Sequence, residues 1–331
     1  MGDGVRYRIS SYRLPNTSFC GQKRIGQFVV CLLGPTGTGK TGAALTLATA
    51  FGCSVINCDS RQMYRDFPIV TAQPNPTERS VCPHWLYGFL PTAEKISAGR
   101  FARLAAEAMA VIAAEGRLPL LAGGTGLYFR AFLDGLVPIP PVPVAVTEAL
   151  TAACVAKGPT VLHVWLQAVD PEFAGRIHYN DRQRILRGLA VFIATGRPLS
   201  WWWRQEELVE NQMNPLKIGL TLEKETLRVL LARRIETMLA AGAIEEIWAA
   251  WMACPNLKAP GWSGIGCAEL LDWFQGRLSL EDAKARWLQN TLSYAKRQLT
   301  WFRKDPDIHW LVADAPGFKA NMVGLVERFL A

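Results

Sequence analysis

Hydrophobic positions along the chain follow two rhythms. Phe28-Val-Val-Cys-Leu-Leu33 is an unbroken apolar, β-prone run that stops at a glycine, the pattern of a strand buried on both faces. Residues 42–51 are rich in Ala, Leu and Thr and suit a helix. Ser54-Val-Ile-Asn57 predicts a second short buried strand. From 95 to 115 the apolar positions Phe101, Leu104, Ala105, Ala108 and Ile112 recur at helical spacing. Leu118-Pro-Leu-Leu-Ala122 is a third strand, ending at Gly123-Gly124. Strand, helix, strand, helix, strand predicts an α/β fold with a doubly wound parallel sheet.

Prolines at 138, 140, 141 and 143 break this alternation. Beyond them, to about Arg204, the pattern is helical and reads as an inserted subdomain, placed at 138–207. Leu216-Lys-Ile-Gly-Leu-Thr-Leu222 returns as a strand. The core is therefore expected over 26–137 and 208–331. A helix is predicted over 226–241, with Gly242 closing it, and a long one over 280–303. No internal repeat is evident. Trp201-Trp202-Trp203 reads as packing between helix and loop, or as a platform for stacking bases.

Composition narrows the setting. No apolar run in the 331 residues approaches the ~18 needed to span a membrane, so no membrane association is expected. Lys and Arg number 36 against 28 Asp and Glu, a net charge of +8, which favours a polyanionic partner. The eight cysteines form no CxxC pair. Neither a zinc site nor a disulfide framework is expected, and a reducing cytoplasm fits best. The basic first 25 residues lack the apolar core of a secretion signal and are expected to be a disordered tail.

Five segments carry chemistry. Gly34, Pro35, Thr36, Gly37, Thr38, Gly39, Lys40 and Thr41 fit G-x-x-x-x-G-K-[ST] between a predicted strand and a predicted helix. Such a loop closes backbone N–H groups around phosphate oxygens at a helix N-terminus; the lysine adds charge and the threonine can ligate Mg²⁺. Asn57-Cys-Asp59-Ser60-Arg61-Gln62 follows a strand thought to lie beside this loop. Asp59 could serve as a base or a water-mediated metal ligand, or cap the next helix. In Gly123-Gly124-Thr125 the glycines allow close backbone approach, and Thr125 could bond a ligand oxygen; a tight turn accounts for the pattern equally well. Arg182, Gln183, Arg184, Ile185, Leu186 and Arg187 place arginines along a helix, for phosphates or simply for solvent. In Tyr294-Ala-Lys296-Arg297-Gln298-Leu-Thr-Trp301-Phe, basic residues interleave with aromatics, which suits RNA or an ordinary amphipathic helix.

Together with TAQP at 71–74 and PHWLYG at 83–88, these segments resemble, in order and spacing, the bacterial tRNA dimethylallyltransferases, from about residue 27 to 310. The resemblance implies a P-loop NTPase-like fold whose loop, 34–41, holds the diphosphate of dimethylallyl diphosphate with Mg²⁺, Thr41 being the metal ligand. It implies Asp59 as the base for the adenine N6 amine, with Thr125, Arg184 and Arg234 at the reacting groups. Ser60, Arg61, Gln62, Gln183, Ile185, Leu186, Arg187, Lys296 and Arg297 would join Asp59, Thr125 and Arg184 in holding tRNA. The insertion would clasp the anticodon stem, and the protein would act as a monomer on the adenine 3′ to the anticodon. Leu292, Ser263, Gly264 and Leu230 stand where many members carry basic residues, and Gln73 where they carry lysine. Three other readings stay open: transfer to free adenine nucleotides, a P-loop kinase (for which no arginine-rich lid is evident), and an RNA-binding relative without catalysis.

Overall fold

The computed structural model describes residues 28–205 and 213–331. The expected tail over 1–25 and the subdomain boundary at 207 lie outside the described residues. Six strands form one parallel sheet: β1 (Phe28–Leu33), β2 (Ser54–Asn57), β3 (His84–Trp85), β4 (Pro119–Gly123), β5 (Asn214–Thr221) and β6 (His309–Val312). Their spatial order is β3-β2-β4-β1-β5-β6. Alternation along β1 divides the core in two: Val29, Cys31 and Leu33 face one layer, Val30 and Leu32 the other.

The second layer is covered by α1 (Lys40–Phe51) and, near the C-terminus, by Met322 and Val326 of the last helix. Between β2 and β3 lies the short α2 (Pro76–Val81), capped by Asn75. The first layer is filled by α3 (Ala98–Ala114) and α4 (Gly126–Leu133), and further along the chain by helices that follow β5. Chain direction across the sheet reverses at β1, which has β4 on one side and β5 on the other. In such sheets ligands gather beyond the strand C-termini at the reversal. The P-loop follows β1 and the Gly-rich turn follows β4, so both motifs open there.

Between α4 and β5 come α5 (Val144–Lys157), α6 (Pro159–Val169), α7 (Pro171–Ala174), α8 (Arg182–Thr195) and α9 (Leu199–Arg204). They pack around a core of their own that includes Leu162, Leu166, Phe173, Ile185 and Leu189. Trp202 and Trp203 close its edge, Trp203 meeting Phe173 edge-on at 5.2 Å. Trp201 stands against Trp202, with the Arg197 guanidinium 5.2 Å over its ring. Packing accounts for Trp202 and Trp203 of this run.

After β5 come α10 (Lys224–Ala240), α11 (Ala243–Ala253), α12 (Cys267–Phe274) and α13 (Leu280–Phe302), and after β6 comes α14 (Phe318–Leu330). Gly242, at φ 97°, closes α10 and opens α11 in one residue, a backbone conformation that glycine adopts without penalty.

Three features lie beyond the sequence pattern. The strand before Asp59 neighbours β4, which runs between it and β1. No helix follows Asp59; the chain turns instead, so Asp59 caps no helix. Strands β3 and β6 escape the sequence pattern: one has two residues, and the other, at the sheet edge, alternates too weakly over four.

Candidate active site

At the end of β1 the chain turns through Gly34, Gly37 and Gly39, all at positive φ, and Lys40 begins α1. The first-turn N–H groups of α1 thus face the crevice with the positive end of the helix dipole. Thr38 is buried and its hydroxyl donates to the Pro35 carbonyl at 2.9 Å, bracing the loop from within. The Lys40 ammonium folds back onto the carbonyls of Gly34 (2.8 Å) and Pro35 (2.7 Å). Burial lowers its pKa to about 8, with Asp59 opposing and Arg234 reinforcing the shift. An anion in the loop would relieve that burial cost and draw the ammonium outward.

Asp59 is held by its neighbours. The Asn57 amide donates to the carbonyls of Asp59 (3.0 Å) and Leu86 (2.9 Å), and its oxygen accepts the Asp59 N–H. Asp59 Oδ1 accepts the Arg61 N–H at 2.9 Å. No hydrogen bond engages Oδ2 among the described residues, leaving one carboxylate oxygen for a ligand. Gly123 runs so close to the Cys58 carbonyl that any Cβ there would collide with it. This close passage joins the ends of β2 and β4.

Thr125 accepts the Ser60 N–H at 3.0 Å, donates its hydroxyl to Ser60 Oγ at 3.4 Å, and donates its own N–H to the Cys58 carbonyl. It lines neither of the two cavities at this site. Its hydroxyl holds the turn at Ser60.

Two cavities meet at these residues. One, of about 820 Å³, is floored by the P-loop from Thr36 to Thr41 and walled by Gln62, Gln73 and Leu230. The other, of about 380 Å³, lies between α10, α13 and the turn at 263–265, with Trp287, Ile235 and Ile265 as apolar walls and Ser60, Arg61, Tyr294 and Arg297 as polar ones. Thr36, Asp59, Thr71, Arg234 and Met238 border both. Arg234, on α10, reaches Thr36 Oγ1 at 3.4 Å. Burial lowers its pKa, while Asp59 opposes the shift.

The remaining sequence candidates fall into three groups. Arg61 donates to Ser263 Oγ and crosses the Tyr64 ring, so a guanidinium from β2's turn reaches the position where a basic residue is missing. Leu292, at another such position, packs with Leu227 and Leu231. Lys296 and Arg297 are exposed on α13. Arg182, Gln183, Arg184 and Arg187 lie exposed on α8 of the insertion, and Arg184 pairs with Asp181. The structure brings none of these four to either cavity. Ile185 is fully buried in the core of the insertion and Leu186 packs against that core; this corrects the expectation that Ile185 contacts tRNA.

Two residues that shape the site escaped the sequence reading. Glu246 of α11 accepts the N–H groups of Ile69 (2.6 Å) and Val70 (2.9 Å), fixing the loop that borders both cavities. Gln298, inside the basic and aromatic motif at 294–302, reaches the P-loop from α13. Neither leaves a local signature, because each partner lies well over a hundred residues away in sequence.

A family model described as IPP transferase matches residues 62–305, and one described as isopentenyl transferase matches 28–85. A tRNA dimethylallyltransferase of Oleidesulfovibrio alaskensis is 53% identical over 86% of this chain and 92% of its own. One of Maridesulfovibrio salexigens is 49% identical over 92% and 97%. Among solved structures, a full-length tRNA isopentenylpyrophosphate transferase of Bacillus halodurans matches with TM-score 0.66 and 31% identity over 92% and 95% of the two chains. A eukaryotic dimethylallyltransferase acting on tRNA matches with TM-score 0.78 and 27% identity over 92% and 79%. A P-loop cavity opening onto a second, aromatic-walled cavity through a shared aspartate is thus found in a chain that belongs to the IPP transferase family.

Proposed function

We propose that the protein transfers a dimethylallyl group from dimethylallyl diphosphate to N6 of the adenine 3′-adjacent to the anticodon, position 37, of tRNA. The observation that carries this reading is the meeting of two cavities at Asp59, Thr36 and Arg234, one of them floored by a phosphate-binding loop. Two reactants entering from different sides would then react where the cavities join, and holding them in line is the main catalytic task for a weak amine nucleophile.

The P-loop N–H groups and Lys40 would take the diphosphate, so that charge released as the allylic C–O bond breaks falls on donors already in place. The adenine, turned out of its stack, would enter the smaller cavity between Tyr294 and the apolar wall of Ile235 and Trp287. Asp59 Oδ2 would accept the N6 proton as the amine attacks the allylic carbon.

Mg²⁺ fits the donor set. Thr41 offers a hard hydroxyl oxygen in the first turn of α1, and a diphosphate would supply further oxygens. The described residues hold no cluster of three His, Cys, Asp or Glu that could bind a metal without substrate. When bound, Mg²⁺ would neutralise charge on the leaving group.

The exposed arginines of α8 and the basic end of α13 suit the anticodon stem and loop. The reaction fits a monomer, since both cavities are built from one chain. It also fits the cytoplasm: the described cysteines are free, and no described helix is long and apolar enough to cross a membrane.

The test is transfer of label from dimethylallyl diphosphate, with Mg²⁺, to unmodified tRNA whose anticodon is followed by adenines, with AMP as a parallel acceptor. Label in tRNA alone supports the proposal. Label in AMP moves the assignment to free nucleotides, and label in neither overturns transfer.

A further inference from the structure

The buried amide of Gln298, 5% exposed, lies under the P-loop. Its oxygen accepts the Thr36 N–H at 2.9 Å, and its nitrogen donates to the Gly124 carbonyl at 2.9 Å. One side chain of α13 therefore ties together the loop after β1 and the turn after β4.

The same turn is shaped to receive it. A Cβ at Gly124 would collide with the Gln298 amide, and one at Gly126 would collide with the Trp301 ring. Two glycines thus stand opposite two α13 side chains one helical turn apart, and the C-terminal third of α13 seats on the bare backbone between them. Thr291, Tyr294 and Arg297 of the same helix line the smaller cavity.

We propose that Gln298 is a positioning residue: by occupying the Thr36 N–H it turns the Thr36 hydroxyl toward Arg234 at the junction of the two cavities, and it holds the diphosphate loop at a fixed distance from the helix that walls the acceptor cavity. The inference rests on the prenyl-transfer reading for its kinetic consequence, and on the P-loop geometry alone for its effect on anion binding. Without the strut, the Thr36 N–H and the Gly124 carbonyl lose their partners, and the loop can drift relative to α13. A shift of about 1 Å between reactants is enough to cost roughly a hundredfold in rate.

Three variants test this: Gln298→Met, which keeps the volume and removes both hydrogen bonds; Gly124→Ala, which drives the Gln298 amide off its partners; and the double variant. Each is compared with wild type for kcat and KM on tRNA, for melting temperature, and for affinity toward inorganic diphosphate with Mg²⁺. The expected result is a kcat lowered about 10- to 100-fold in each single variant, with KM for tRNA within threefold. The double variant should be no worse than Gln298→Met, because the tie that Gly124→Ala breaks is already absent. Diphosphate affinity should fall about tenfold in all three.

Single-variant losses that multiply in the double variant would overturn the proposal. So would a Gln298→Met protein that melts earlier yet keeps kcat and diphosphate affinity within twofold of wild type. If the wild-type protein transfers nothing to tRNA, the prenyl-transfer reading falls, while the diphosphate measurement still decides the strut.

Discussion

At the scale of single residues, the site is governed by two charges that share one crevice. Lys40, buried against carbonyls of its own loop, has a folded pKa of about 8 against an ordinary 10.5. Between those values the unfolded chain holds a proton that the folded chain has lost. Stability from this group therefore rises with pH across that window, and the burial cost is fully felt below it. For ligand binding the sign reverses: a diphosphate favours the charged lysine, so affinity should fall as pH rises through about 8, with proton uptake on binding. Calorimetry with inorganic diphosphate in two buffers of different ionisation heat measures that uptake, and Lys40→Met should abolish it. Asp59 stands where the two cavities meet. Asp59→Ala should bind both substrates and lose about 10²- to 10⁴-fold in turnover; turnover within tenfold of wild type would remove it from the base role.

At the scale of elements, the site is a set of strand ends held in register by long-range polar ties. The loop over 67–73 borders both cavities, and Glu246 on α11 fixes it through two N–H groups. Burial raises the Glu246 pKa, and the two N–H donors oppose that rise. Glu246→Ala leaves those donors without a partner, which should cost about 1–3 kcal/mol of stability and raise KM for both substrates together, since one loop serves both cavities. Thermal melts and steady-state kinetics check the two parts separately. Gln73 braces the same loop by donating to the Tyr64 carbonyl at 2.7 Å. In this chain that position supports the loop by hydrogen bonding and brings no charge to the cavity.

At the scale of the molecule, a sheet that gathers the chemistry carries an insertion with its own core. The arginines on α8 are exposed and lie away from both cavities, which suits a surface that grips a nucleic-acid backbone. Replacing Arg182, Arg184 and Arg187 with Glu should weaken tRNA binding and lower the slope of log affinity against log salt by roughly two to three. Inorganic diphosphate binding should be unchanged, because the α8 face and the P-loop share no residue. An unchanged salt slope would take α8 out of the tRNA contact.

The sequence by itself determined what local pattern can encode. Apolar segments ending at turns defined four of the six strands; in β1 and β4, buried on both faces, no polar position disguises the run. The glycine spacing of 34–41 defined the phosphate loop, because backbone N–H groups can converge only where Cβ atoms do not intervene. Helix periodicity located α3, α10 and α13 within a few residues. Tertiary structure alone decided the rest, for physical reasons that no short window carries. Strand order put β4 between β1 and β2, because the sheet is assembled by contacts distant in sequence. Gly123 and Gly124, ambiguous as a dipeptide, are explained by what passes them: the Cys58 carbonyl and the Gln298 amide. Arg184 and Ile185, adjacent in one motif, separate into an exposed charge and a buried core residue, because a helix turns 100° per residue. Glu246 and Gln298 shape the site through partners that only the fold brings within reach.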